Sequence, residues 1–282
     1  MAESGVLTRA DFRRISDMLR TRVGISLSDK KRGLLTARLG SMMRTLGYQT
    51  YGELADQLEN DPDGPLFVEL VNRLSTNHTY FDRETLHFTF VAEDLVPQWE
   101  HELAHGSRDR VRIWSAAASS GEEPYNIAMT IAEQSEPVRA VTRILGTDIA
   151  ASALEKADKG VYTEKELAKL ARTRRAAYFE QTATGGRITQ TMRDMVVFRR
   201  LNLVRDSYPF RNRFDLIFCR NVLIYFDEDL QRNVVNAMLN YLTMGGHFIV
   251  GHSETLDRNT LGLQYRRPGV YQRVDGTQGD TP

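Results

Sequence analysis

The sequence predicts an α/β protein in which a small helical domain precedes an open, largely parallel sheet and a small β-hairpin insertion interrupts that sheet. Three observations lead there. Residues 6 to about 75 carry apolar side chains at helical spacing, with Phe12, Ile15, Leu19 and Val23 on one face. From Val111 onward, short apolar runs alternate with amphipathic ones, as βαβ units require. The run from Phe214 to Cys219 is apolar almost throughout, as a strand covered on both faces must be.

The first domain reads as four helices. The first runs through Phe12 and Val23. The second, with Ser28 as a candidate cap, runs through Leu34, Leu35, Leu39, Met42 and Met43 to Gly47. Two more follow through Tyr51, Leu54 and Leu58, and through Phe67, Leu70, Val71 and Leu74. Between Arg20 and Arg44 seven basic residues face one acid, Asp29, and Lys31 and Arg38 lie seven residues apart, close to one line down the second helix. Such a stripe is either a solvated face or a docking surface for an acidic partner. Residues 76–108 follow as a linker, Ser75-Thr76-Asn77-His78-Thr79-Tyr80-Phe81-Asp82-Arg83-Glu84, and a lead-in helix through Phe88, Phe90 and Leu95. The polar segment with two adjacent aromatics reads equally as a linker or as a lid. His101-Glu102-Leu103-Ala104-His105 matches the zinc-protease pattern H-E-x-x-H. It stands in a polar stretch with no downstream third ligand, so we read a solvated helix end and expect no metal.

The stretch that organises the chain is Val111 to Tyr125, which reads as strand, tight loop of small residues and helix start. A nucleotide phosphate at that helix N-terminus would be opposed by Glu122 and Glu123, and neither G-x-G-x-x-G nor a P-loop is present. S-adenosylmethionine has no phosphate and carries cationic groups and a ribose, so small residues beside acids suit it. Asp148 ends the next strand, where an acid can accept both ribose hydroxyls.

Downstream, a helix through Ala151, Leu154 and Ala157 ends at Gly160. Thr163 to Arg172 reads helical, and Tyr178 to Gln190 reads as a hairpin, so residues 161–195 form an insertion. The sheet resumes at Val196 to Asn202 and Phe214 to Asn221. A helix through Leu230, Val234, Met238 and Leu242 stops at Gly245-Gly246 before a strand from His247, and Gly269 to Arg273 can return antiparallel. Residues 276–282 read as a polar tail after a domain spanning 109–275.

Composition bounds the function. With 282 residues, one large or two modest domains are expected, and 37 basic residues balance 37 acidic ones. A neutral chain is not built for nucleic acid, so any charged partner site must be local. Cys219, the single cysteine, excludes an intrachain disulfide and reads as a core thiol. The opening residues show neither a basic start nor an apolar run, and no stretch is apolar for the ~18 residues a membrane span needs. We expect a cytoplasmic protein without membrane insertion.

Five ordered motifs then coincide: Asn77-x-Thr79-x-x-x-Arg83, Trp114 to Tyr125, Thr147-Asp148-Ile149, Phe218 to Phe226, and Gly251-His252-Ser253-Glu254. Together they resemble the CheR family of chemotaxis receptor methyltransferases over nearly the whole chain. The resemblance implies a Rossmann-like class I S-adenosylmethionine-dependent methyltransferase that esterifies glutamate side chains on receptor cytoplasmic helices and releases S-adenosylhomocysteine. It implies cofactor contacts at Asn77, Thr79, Arg83, Ala117, Glu123, Asp148, Asn202, Leu203, Arg220 and Asn221. Arg83 and Tyr225 match residues close to the transferring methyl, and the basic second helix, with Lys31 and Arg38, matches the family's substrate-docking element. In some members the insertion adds a strand to a receptor's C-terminal pentapeptide. The loop around Thr184-Gly185-Gly186 is short beside those, so we expect independence from a pentapeptide tether; separately, we expect a monomer. A non-catalytic S-adenosylmethionine-binding adaptor is the rival. It would keep the cradle but lose Arg83 and Tyr225. A nucleic-acid amine methyltransferase would show Asn or Asp before Pro-Pro-Tyr, which Asn221-Val222-Leu223 does not.

Overall fold

A computed structural model describes residues 5–29, 32–62, 64–75, 78–256 and 262–274. Lys31 and Asn77, expected at the docking surface and at the cofactor, lie outside the described residues.

Four helices open the chain: α1 (Arg9–Val23), α2 (Arg32–Leu46), α3 (Tyr51–Asn60) and α4 (Pro65–Leu74). Thr8 caps α1 through its side-chain oxygen, and Thr50 and Glu53 form a reciprocal capping box on α3, which satisfies amide groups the helix start leaves without partners. Their apolar faces close on one core that includes Ile15, Leu19, Leu39, Met42, Leu54 and Leu70. The lead-in helix is irregular: α5 (Leu86–Phe90), a wide π turn over Val91–Leu95, then α6 (Val96–Ala104). Pro97 accounts for it, because its ring has no N–H to give and crowds the carbonyl one turn back, and a widened turn makes room.

The α/β part runs β1 (Val111–Ala116), α7 (Glu122–Gln134), α8 (Glu136–Val141), β2 (Thr142–Asp148), α9 (Ala151–Lys159), β3 (Val161–Thr163), α10 (Glu164–Leu167), α11 (Arg172–Tyr178), β4 (Phe179–Thr182), β5 (Gly185–Ile188), α12 (Gln190–Arg193) and β6 (Val196–Arg200). It continues with β7 (Phe214–Cys219), a 3₁₀ turn (Leu223–Tyr225), α13 (Glu228–Leu239), β8 (Leu242–Val250), β9 (Leu263–Arg267) and β10 (Val270–Arg273). The main sheet has the order β6-β2-β1-β7-β8-β10-β9. Its first five strands are parallel, and β10 and β9 return antiparallel. Side chains alternate across the sheet, so Ile113, Leu216 and Ile249 enter one core while Trp114, Ile217 and Phe248 enter the other. Cys219 is fully buried in the second core, where burial pushes its thiol pKa well up.

Three expectations are corrected. The insertion is a three-stranded sheet, β3-β5-β4, rather than a hairpin after one helix. The short β3 shows no periodicity of its own, and Gly185 lets it pair closely, since a Cβ there would lie 2.1 Å from the Tyr162 carbonyl oxygen. β8 begins at Leu242, inside the expected helix, and its register shifts between Phe214 and Leu216 to absorb Gly245 and Gly246. β9, whose sequence LQYRR is mostly exposed, carries too little apolar pattern to be read as a strand.

The helical domain seats directly on the sheet's loops. Ile149 packs against its core, and Gly24, the left-handed cap of α1 (φ 72°), leaves room for Phe226, whose ring a Cβ would approach to 2.6 Å. Gly24→Ala combines backbone strain with that clash. We expect it to destabilise the protein by about 2 kcal/mol and to weaken cofactor binding several-fold. Thermal melts and calorimetric titration of S-adenosylmethionine check both.

Candidate active site

The strand order turns back at β1, so the loops leaving the carboxyl ends of β1 and β7 open a crevice. The β1–α7 loop crosses it with Ala117, Ser119 and Gly121 in left-handed conformations (φ 60°, 49° and 92°). Such backbone persists only where it is pinned. The Ala118 N–H donates to the Thr147 carbonyl and the Ser119 N–H to the Asp148 carboxylate, each at 2.8 Å. Position 121 admits only glycine, because a Cβ would sit 2.8 Å from that of Ala157.

A cavity of about 1080 Å³, including its open mouth, lies above this loop. Ten of the residues expected at the cofactor and the methyl line it. Thr79 and Arg83 come from the linker, Ala117 and Glu123 from the cradle, and Asp148 from the end of β2. Asn202 and Leu203 follow β6, and Arg220, Asn221 and Tyr225 follow β7. The helical domain supplies a wall that the sequence reading missed, with Val23, Ile25 and Leu74. Asn202 joins the two parts, donating from Nδ2 to the Arg22 carbonyl at 2.6 Å.

The acids are buried and held. Asp148 accepts from the N–H groups of Ser119 and Ala150, one on each oxygen at 2.8 Å, while burial raises its pKa against their pull. Glu123 accepts from the Ser115 hydroxyl at 2.7 Å and from Arg220 at 2.9 Å; burial raises its pKa, with Arg220 opposing. Glu122 instead bonds the Ser120 hydroxyl and does not line the cavity. A cavity lined by two acids beside a loop of small residues fits an adenosyl ligand carrying a cation.

Arg220 is almost fully buried between Glu123 and Glu84 and also donates to the Arg83 carbonyl. Glu84, itself left-handed (φ 56°), accepts from Arg220 and Asn221 Nδ2 at 3.1 Å and from the His252 N–H at 3.2 Å. Glu254, buried, accepts from the N–H groups of Asn221 and Gly251 at 2.7 Å and of Ile224 at 3.3 Å. These two carboxylates hold the turn that presents Asn221 and Tyr225. The sequence reading assigned neither; Glu84 had no signal beyond its place beside Arg83, and Glu254 stood in a quoted motif without a role. Arg83, by contrast, donates to the His78 carbonyl at 2.9 Å, and among the described residues no carboxylate pairs with it.

Glu84, His87 and His252 bring three ligand-capable atoms within 4.8 Å of one another. Glu84 is already committed to three donors, so we read the group as structural. His87 is buried with no hydrogen bond at either ring nitrogen, its Nδ1 lying 3.6 Å from Glu84, and burial with Arg220 nearby lowers its pKa to about 4. Burial and Arg266 lower that of His247 to about 4 as well. Between pH 4 and the reference value of ~6.5, the unfolded chain therefore binds more protons than the folded one, so stability rises with pH over that window. We expect on the order of 2–3 kcal/mol of stability per histidine to be lost from pH 7 to pH 4. Urea midpoints against pH check this, and His247→Gln should flatten the slope.

Arg38 is half-buried, donating to the carbonyls of Leu74 at 2.6 Å and Arg73 at 3.4 Å, which closes the end of α4. In the H-E-x-x-H match, His101 and His105 are exposed and stack on each other, and Glu102 bonds Arg108. Among the described residues no helix is long and apolar enough to cross a membrane.

Fold and site together define a class I S-adenosylmethionine-dependent methyltransferase. The family models for the CheR methyltransferase SAM binding domain and the CheR methyltransferase all-alpha domain match residues 77–267 and 10–75, and the chain belongs to the CheR methyltransferase family. It is 37% identical over 270 residues to the chemotaxis protein methyltransferase of Borreliella burgdorferi, covering 95% of each chain. It is 36% identical over 276 residues to that of Escherichia coli, covering 96% of this chain and 93% of that one. The Vibrio parahaemolyticus enzyme of the same name is 38% identical over 271 residues, at 94% and 96% coverage.

Proposed function

We propose that the protein transfers methyl from S-adenosylmethionine to glutamate carboxylates of chemoreceptors, forming methyl esters in chemotactic adaptation. The observation that carries this reading is the contrast between two arginines in one cavity. Arg220 is ion-paired with both Glu84 and Glu123, whereas Arg83 has no carboxylate partner among the described residues. Arg83 is thus the cation open to an incoming carboxylate, with Tyr225 lining the same cavity.

The bound cofactor supplies an electrophilic methyl on a sulfonium centre. The chain's residues bind and align. Asp148 accepts the ribose hydroxyls, Glu123 sets a negative field toward the cationic end, and Asn202 and Leu203 border the adenine. Thr79 contacts the cofactor from the linker, as does Asn77 by its place in the motif. A glutamate with a reference pKa of ~4.3 is already ionised near neutral pH, so no general base is needed. Holding donor and acceptor in line supplies roughly 7 kcal/mol or more of the barrier lowering. Arg83 and Tyr225 orient the carboxylate, and too tight an ion pair there would blunt it as a nucleophile.

The basic stretch around Lys31 and Arg38 docks an acidic receptor helix in the same proposal, with Arg38 adding charge from α2 while it bonds the carbonyls that end α4. The two-residue turn Ala183-Thr184 between β4 and β5 supports action without a receptor pentapeptide tether; in the same proposal the protein acts as a cytoplasmic monomer. Tight binding of such a peptide by calorimetry would refute that part.

The test is transfer of labelled methyl to chemoreceptor-containing membranes followed by mild alkali. Volatile methanol is expected. No label on receptor, with cofactor still bound, would point to the adaptor instead.

A further inference from the structure

The linker that carries Arg83 is fastened to the insertion. Phe81, fully buried, makes edge contacts with Tyr162 and Phe179, with centroids 4.8 and 5.6 Å apart. Asp82 accepts from Arg174 at 2.8 Å, and Arg174 also bonds Glu133 on α7. These contacts set the segment joining α10 and α11 beside the cavity mouth. From that segment Lys169, exposed, lays its ammonium 3.5 Å from the centroid of the Tyr80 ring. Tyr80 lines the cavity, and the Arg83 guanidinium lies 5.8 Å from the same centroid. The ring's negative face attracts both cations. They nevertheless repel each other, and among the described residues no carboxylate pairs with either. Two like charges held at one ring without a counter-ion form an arrangement that an anionic ligand completes.

We propose that Lys169 is a specificity-determining residue for the acceptor, receiving a second negative charge on the acceptor segment while Arg83 takes the carboxylate to be methylated. Side chains three or four positions apart on a helix are neighbours, with Cβ atoms about 5–6 Å apart, so an acidic helix presents a second carboxylate at a suitable distance. The ligand class is an acidic peptide segment bearing at least two carboxylates, and the inference rests on the carboxyl-methylation reading above. Lys169 acts in binding, not in the displacement, so it moves KM and its salt dependence and leaves cofactor affinity alone.

The experiment compares the full chain with Lys169→Ala, Lys169→Glu and Lys169→Arg. It measures labelled-methyl transfer to chemoreceptor-containing membranes across receptor and salt concentrations, and S-adenosylmethionine affinity by calorimetry. Lys169→Ala is expected to raise the receptor KM about fivefold with weaker salt dependence, at near-normal kcat and unchanged cofactor Kd. Lys169→Glu raises it further, and Lys169→Arg restores it. Unchanged KM in both Lys169→Ala and Lys169→Glu overturns the inference, as does a loss confined to kcat or cofactor affinity. Absence of alkali-labile label with the unmutated protein overturns the carboxyl-methylation reading together with this one, whereas normal labelling with unaltered variant kinetics overturns this one alone.

Discussion

Replacing Arg83 with alanine is expected to lower turnover by about 10²-fold or more at saturating cofactor and receptor. Its guanidinium donates to a backbone carbonyl, meets no carboxylate among the described residues and belongs to a residue that lines the cavity. Removing it leaves the acceptor carboxylate to find its own alignment, and alignment supplies most of the rate in a displacement that moves no proton. Cofactor affinity should fall much less than turnover, since Asp148, Glu123 and the left-handed cradle remain. Arg83→Lys keeps the charge but loses the planar fork, so it should recover only part of the rate. Single-turnover methyl transfer checks this, and near-normal turnover in Arg83→Ala would contradict the assigned role.

Glu254→Ala is expected to cost about 3 kcal/mol of stability and most of the turnover, because each buried donor left without an acceptor costs ~1–3 kcal/mol. The carboxylate holds the N–H groups of Asn221, Gly251 and Ile224 together, and Asn221 is left-handed at φ 58°. Such backbone reverts once its partner is gone. The adjoining 3₁₀ turn ends at Tyr225, so the turn's displacement carries that side chain away from the cavity. Glu254→Gln keeps one acceptor oxygen but sets an amide N–H₂ against donors, and it should fall between the two. A urea midpoint and a turnover both unchanged in Glu254→Ala would count against this role.

The cofactor cradle is legible in the sequence because it is written in local terms. The Val111–Tyr125 segment announces strand, loop and helix by composition alone. The two acids at 122 and 123 exclude phosphate by charge, and Asp148 follows at βαβ spacing. Of the two acids, however, only Glu123 faces the cavity, while Glu122 turns to the Ser120 hydroxyl. Which of two adjacent carboxylates points inward depends on how the helix is seated, not on the charge pattern.

Local sequence patterns carry the α/β class, the preceding helical domain and, through the small-residue loop and Asp148, the cofactor type, while the other residues that gather in the cavity were expected from the resemblance to the CheR family. Periodicity, helix-end chemistry and motif spacing act over a few residues at a time. Tertiary packing was needed to show that β3 joins the insertion as a third strand, that Arg38 closes α4, and that Glu84 clamps Arg220 and Asn221. It also placed Lys169 beside Arg83 on one ring. The difference is one of range: Glu84 and Asn221 are 137 positions apart, and no local pattern reports which buried donor a carboxylate will meet once the sheet has closed between them.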